Sequence, residues 1–119
     1  MTTVLVVDDS RLARDMVTSA LTSLFSDWTI VTAVGADDAL AKVEAQRPDV
    51  AIIDYNMPGT DGLTLAVKLR EKFHQIPIGI LTANVQDSLR RKAEALGCAF
   101  IAKPVTGEKL RAFLTKSPE

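Results

Sequence analysis

Five side chains able to bind a cation or a phosphate each stand directly after an apolar run of the sequence. They are Asp8, Asp9, Asp54, Thr82 and Lys103. Carboxylates held close together repel one another and raise each other's pKa, and a bound divalent cation removes that cost. An all-oxygen set suits Mg²⁺, whereas the single His and single Cys cannot form a zinc site. A lysine ammonium and a threonine hydroxyl beside the cation would bind a phosphate.

The apolar runs predict the elements that bring these side chains together. Five short runs rich in β-branched residues are typical of buried parallel strands, and they are Val4–Val7, Trp28–Thr32, Val50–Ile53, Pro77–Leu81 and Ala99–Ala102. Apolar residues with helical spacing follow each run, in stripes that begin at Ala13, Ala36, Leu65, Val85 and Leu110. The pattern predicts an α/β fold, a five-stranded parallel sheet in the order 2-1-3-4-5, doubly wound with helices on both faces. Ligands of such folds bind at the carboxyl ends of the strands.

The composition excludes several classes of protein. A chain of 119 residues fits one domain, residues 1–119, and its 47% hydrophobic and 24% charged residues are typical of a folded protein rather than a disordered one. No apolar run is long enough for a membrane span, and a formal net charge of −1 argues against direct binding to nucleic acid. The single cysteine, Cys98, suits a reducing compartment, so we expect a cytoplasmic protein.

Taken together, the motifs resemble the receiver domain of two-component response regulators, and the likeness covers essentially the whole chain. The matching motifs are Val4–Asp9, Asp54–Pro58 with Gly62, Leu81–Ala83 and Lys103–Pro104. The resemblance implies that Asp54 is the phosphoacceptor for a histidine kinase or a histidine phosphotransfer protein. It also implies that the domain catalyses this Mg²⁺-dependent phosphorylation itself and is slowly dephosphorylated by water.

The resemblance further implies a role for each site residue. The ligands of Mg²⁺ would be Asp8, Asp9, Asp54 and the backbone carbonyl of Asn56. Lys103 would pair with the phosphate, and the bond before Pro104 would be cis, as is usual in the family. Thr82 would move toward the phosphate, which would let Phe100 turn inward as a switch residue.

The output surface implied by the resemblance consists of the fourth helix, the fifth strand and the fifth helix. Its basic residues are Arg90, Arg91, Lys92, Lys109 and Arg111. Residues 1–59 carry nine acidic and four basic side chains, whereas residues 60–119 carry six and ten, which agrees with an acidic site and a basic surface. We expect this surface to bind an output protein, an attached output domain or, after phosphorylation, a second copy of the domain.

Three other functions fit parts of the pattern. A receiver-like interaction module that phosphorylation does not regulate would share the fold, but the intact set of acids, Thr and Lys argues against it. A haloacid-dehalogenase-like phosphatase also uses an aspartate nucleophile, but its second acid corresponds to Asn56 here, and its nucleophile follows the first strand. A flavin-binding electron carrier needs a phosphate loop after the first strand, where Asp8 and Asp9 would repel the phosphate. Taken singly, Asp8, Asp9 and Thr82 also suit helix capping, and Phe100 suits the core.

Overall fold

The computed structural model describes residues 2–83 and 86–116, in which five strands alternate with five helices. The strands are β1 (Thr3–Val7), β2 (Thr29–Ala33), β3 (Val50–Asp54), β4 (Ile78–Thr82) and β5 (Ala99–Ala102). The helices are α1 (Arg11–Leu24), α2 (Ala36–Ala45), α3 (Gly62–Lys72), α4 (Asp87–Ala95) and α5 (Gly107–Lys116). Each predicted strand end lies within one residue of the observed one. Val85, with which the fourth predicted stripe begins, lies outside the described residues.

All neighbouring strands are parallel, and their order in the sheet is β2-β1-β3-β4-β5, which confirms the predicted fold class. The chain order reverses between β1 and β3. Val7 pairs with Ile53 across this pair, so the residues that follow them, Asp8 and Asp54, emerge side by side. At the edge of the sheet formed by β5, Thr82 of β4 pairs with Ala102, the residue before Lys103. The register therefore gathers the predicted site residues at one end of the sheet.

The sheet is covered on both faces, which explains its continuously apolar strands. Successive side chains of a strand point to opposite faces, so Leu5 and Val7 belong to the core beneath α2, α3 and α4. Val4 and Val6 belong to the second core, beneath α1 and α5. Every residue of β3 and β4 is buried. The described helices include none that is both long and apolar enough to cross a bilayer.

Helix α1 departs from its predicted apolar stripe at Met16. The stripe that begins at Ala13 includes Met16, Val17 and Leu21, and Val17 and Leu21 are buried as predicted. Met16 is 54% exposed, and Leu12, one turn earlier and outside the stripe, is 71% exposed. Because α1 packs on β1 and α5, the flank that carries Met16 faces the turn between β5 and α5 and remains open.

Candidate functional site

Three carboxylates meet at the carboxyl ends of β1 and β3. Ligand oxygens of Asp8, Asp9 and Asp54 all lie within 4.8 Å of one another. Asp8 and Asp54 are buried, with 2% and 3% of their residue surfaces exposed, whereas Asp9 is exposed. Oxygens at this separation can share one divalent cation, and the exposed third carboxylate leaves a side of the cluster open to solvent.

Lys103 brings a positive charge to the same cluster. Its Nζ lies 2.8 Å from Asp54 Oδ1 and 4.0 Å from Asp8 Oδ2. The Lys103 amide donates a 2.8 Å hydrogen bond to the carbonyl oxygen of Thr82, the buried last residue of β4. The Lys103–Pro104 bond is cis, as the family resemblance implied. Four of the predicted site residues therefore form one cluster of charged groups, and Thr82 lies at the adjoining strand end.

Few donors offset the charges of the two buried carboxylates. The pKa of Asp8 is raised, chiefly because burial disfavours its charged form, and the negative charges of Asp54 and Asp9 add to this shift. The Ser10 amide, which donates to Asp8 Oδ1 over 2.9 Å, and the Lys103 ammonium oppose it. Asp8 Oδ2 accepts no hydrogen bond from the described residues, and the partner of Asp54 Oδ1 is the Lys103 ammonium 2.8 Å away. A hard cation would satisfy Asp8 Oδ2 and offset the charges that a single ammonium leaves uncompensated, so the donor set fits Mg²⁺.

Two backbone hydrogen bonds anchor the loop that follows Asp54. The Tyr55 amide donates to the Leu81 carbonyl over 2.8 Å, and the Gly62 amide donates to the Tyr55 carbonyl over 3.0 Å. Asn56 is exposed in this loop, two residues after Asp54, and its backbone carbonyl stays a predicted metal ligand. Asp61 caps α3 by accepting a hydrogen bond from the Thr64 amide. The start of α3 thus braces the segment that carries Asp54.

We expect Gly62→Ala to lower the free energy of unfolding by about 1–3 kcal/mol, the usual cost of overpacking. A Cβ at this position would lie 2.5 Å from the Asp54 carbonyl oxygen and 2.9 Å from the Tyr55 Cα, and neither backbone atom can move aside cheaply. Urea unfolding measures the effect. Gly107→Ala is the matched control, because a Cβ there meets nothing within 4 Å. Equal stabilities of the two variants would contradict the close packing at Gly62.

Sequence reasoning missed Arg14, which supports the loop after β1. Its Nη1 donates a 2.7 Å hydrogen bond to the Asp8 carbonyl, so α1 is tied to the segment that carries Asp8 and Asp9. No sequence signal marks this contact, because Arg11, also near the start of α1, has a side chain that is 86% exposed.

The predicted switch and output residues lie on α4, β5 and α5. Phe100, on β5, is half-buried against the core, and the Arg90 guanidinium carbon lies 4.6 Å from its ring centroid. Arg90, Arg91, Lys92 and Arg111 are exposed. Lys109 differs from them, because its ammonium donates to the carbonyls of Ala102 and Pro104 and so is engaged within the fold.

Known proteins share this sequence pattern and this architecture. A family model described as the response regulator receiver domain matches residues 4–115. The chain is 35% identical, over 97% of its length, to the probable transcriptional regulatory protein TcrX of Mycobacterium tuberculosis, of which it covers 50%. It spans half or less of the length of the first curated relatives that it matches.

Two solved structures are similar over nearly the whole chain. Chemotaxis protein CheY4 of Vibrio cholerae has a TM-score of 0.88 and 32% identity, and the match covers 98% of both chains. A CheX–CheY–BeF₃–Mg²⁺ complex from Borrelia burgdorferi gives a TM-score of 0.88 and 25% identity, covering 97% of this chain and 87% of that one. The cluster of Asp8, Asp9, Asp54 and Lys103 thus lies in a fold that this chain shares with both proteins.

Proposed function

Because the chain belongs to the response regulator receiver domain family and is therefore a signalling receiver, we propose that Asp54 is its phosphoacceptor. The donor is a histidine kinase or a histidine phosphotransfer protein, and the transfer depends on Mg²⁺. The observation that carries this proposal is the cluster in which the Lys103 ammonium lies 2.8 Å from Asp54 Oδ1, beside two further carboxylates. Residues 1–119 act as one receiver domain in the cytoplasm, without direct contact to nucleic acid.

The chemistry follows from the residues of the cluster. An Asp54 carboxylate oxygen forms a bond to phosphorus while the bond from phosphorus to the donor histidine nitrogen breaks, and that nitrogen keeps the electron pair. Lys103 faces the transferred group and offsets its charge, and hydrolysis by water later restores the carboxylate. Asp8, Asp9, Asp54 and the Asn56 carbonyl would hold Mg²⁺, which when bound neutralises charge on the phosphoryl oxygens. The Borrelia CheY complex with BeF₃ and Mg²⁺ supports this assignment by similarity.

We propose that the donor protein docks on the exposed flank of α1. Leu12 and Met16 lie one helical turn apart, and Met16 also lines a cavity of about 140 Å³ with Val105, Asp8 and Lys103. A donor histidine must come within bonding distance of Asp54, so the protein that carries it must cover this rim. Exposed apolar side chains beside a charged site favour a protein partner over a small molecule.

We expect Leu12→Gln and Met16→Gln to slow transfer from a phosphorylated donor protein, each by roughly tenfold, as loss of a central apolar contact does. Labelling by acetyl phosphate stays unchanged, because this small donor needs no docking surface. Transfer rates from radiolabelled donor measure the effect. Val67→Gln, at an exposed position on α3, is the control. Slower labelling by acetyl phosphate in the α1 variants would contradict the docking role.

Phosphorylation is proposed to change the surface formed by α4, β5 and α5. A dianion at Asp54 draws Thr82 toward it, which vacates space beside β5 for the Phe100 ring. Phe100 has no hydroxyl to desolvate, and its half-buried ring already packs against the core, so further inward movement costs little. The altered surface binds an output protein, an attached output domain or a second copy of the domain.

Beryllofluoride activation tests this switch. We expect the largest backbone NMR shifts outside the site between Thr82 and Lys109, because that segment contains the switch residues and most of the output surface. The same titration with Asp54→Asn is the control and leaves the spectrum unchanged. Shifts confined to the loops bearing Asp8, Asp9 and Asp54 would contradict the proposed switch while leaving phosphorylation intact.

A further inference from the structure

The Lys109 side chain makes two hydrogen bonds to backbone carbonyls, whereas the ammonium of a typical surface lysine is bound by water. It lies in the first turn of α5, and its Nζ donates to the Ala102 carbonyl over 2.9 Å and to the Pro104 carbonyl over 3.0 Å. These carbonyls belong to the residues on either side of Lys103. A helix N-terminus disfavours a cation, so the charge of Lys109 is compensated by these acceptors rather than by the helix.

The contact at Ala102 occupies an acceptor that the sheet leaves open. β5 is an edge strand, and the Lys103 amide points to β4, where it donates to the Thr82 carbonyl over 2.8 Å. Backbone groups of successive residues alternate in direction along a strand, so the Ala102 carbonyl faces the open edge. Lys109 supplies the donor there, and its second bond holds the turn that leads to α5.

We infer that Lys109 is a positioning residue for Lys103. By bridging Ala102 and Pro104, its ammonium holds the backbone on both sides of Lys103, so that the Lys103 Nζ stays 2.8 Å from Asp54 Oδ1. Lys109 itself is a ligand of neither the phosphate nor the cation. The inference rests on the proposed function, since it assigns Lys109 a part in the phosphorylation of Asp54.

The test compares Lys109→Met, which keeps the chain length but removes the donors, with Lys109→Arg, which keeps a cationic donor. The rate of Asp54 phosphorylation is measured at saturating acetyl phosphate and Mg²⁺. We expect the methionine variant to lose roughly three- to tenfold in maximal rate, because small misplacement of a catalytic group is costly. Lys109→Arg retains at least about half of the rate, since it preserves the donor. Lys68→Met, exposed on α3, is the matched control.

Two further readouts separate positioning from a general loss of structure. The Mg²⁺ dissociation constant and the half-saturating acetyl phosphate concentration stay within about twofold of wild type, because Lys109 contacts none of the three carboxylates. Adding Lys109→Met to Lys103→Met lowers the rate no further, because Lys109 acts through Lys103.

The outcomes distinguish this inference from the function on which it rests. A wild-type rate for Lys109→Met, or a further loss in the double variant, overturns the positioning role while the phosphorylation of Asp54 stands. A wild-type protein that takes up no phosphoryl group overturns the proposed function itself.

Discussion

Asp54→Asn will take up no hydroxylamine-labile phosphoryl group from acetyl phosphate or from a phosphorylated kinase, whereas the wild-type protein will take up one. The amide has nearly the shape of the carboxylate but no anionic oxygen to attack phosphorus, so the initial labelling rate falls by at least roughly a hundredfold. Intact-protein mass spectrometry counts the phosphoryl groups. Treatment with hydroxylamine identifies an acyl phosphate, because it cleaves that bond and spares a phosphoserine.

Asp27→Asn is the matched control for this experiment, because Asp27 is exposed and precedes β2, at the opposite end of the strands from the cluster. It should be labelled like wild type. Full hydroxylamine-labile labelling of Asp54→Asn would show that another carboxylate is the acceptor. Steady release of phosphate from phosphate esters by the wild-type protein would instead favour the phosphatase alternative.

Mg²⁺ will raise the free energy of unfolding by about 1–3 kcal/mol at concentrations about 10 to 100 times its dissociation constant. The reason is that the three carboxylates meet only in the folded chain, through the pairing of β1 with β3. Asp9→Asn removes most of this response, and because Asp9 is exposed the substitution leaves the core intact. Trp28 fluorescence is a suitable unfolding probe, since Trp28 stacks on Phe25 and adjoins Thr29, at the other end of the strands.

The stabilisation by Mg²⁺ also depends on pH, because Asp8 must lose its proton to bind the cation. The pKa of Asp8 is raised in the folded state. Without metal, the free energy of unfolding therefore falls as the pH rises from the ordinary pKa of an aspartate through the raised pKa of the folded state. Below the folded pKa a proton occupies Asp8 and competes with the cation. We therefore expect Mg²⁺ to stabilise the protein less at acidic than at neutral pH. An unfolding midpoint indifferent to Mg²⁺ at neutral pH and low salt would contradict the metal site.

The sequence by itself determined the fold class, because the physical constraints on parallel sheets are visible in composition. Strands covered on both faces must be continuously apolar, and all five residues of β3 and β4 are buried as that pattern predicts. Crossovers of one hand limit the strand order to few choices, of which 2-1-3-4-5 was expected and observed. Asp8, Asp54, Thr82 and Lys103 were then predicted to share one end of the sheet, since parallel strands align their carboxyl ends.

Only the tertiary structure decided what the long side chains contact. Met16 belongs to an apolar stripe by its spacing in the sequence. In the structure none of the described elements covers that flank of α1, so Met16 is exposed beside the turn between β5 and α5. The sequence assigned no role to Arg14 and led us to place Lys109 on the output surface, yet each donates to backbone carbonyls of the segments that carry site residues. A carbonyl acceptor is present at every position of a chain and has no residue type to mark it. Which carbonyl a cation reaches is therefore settled by how a helix lies against a strand end.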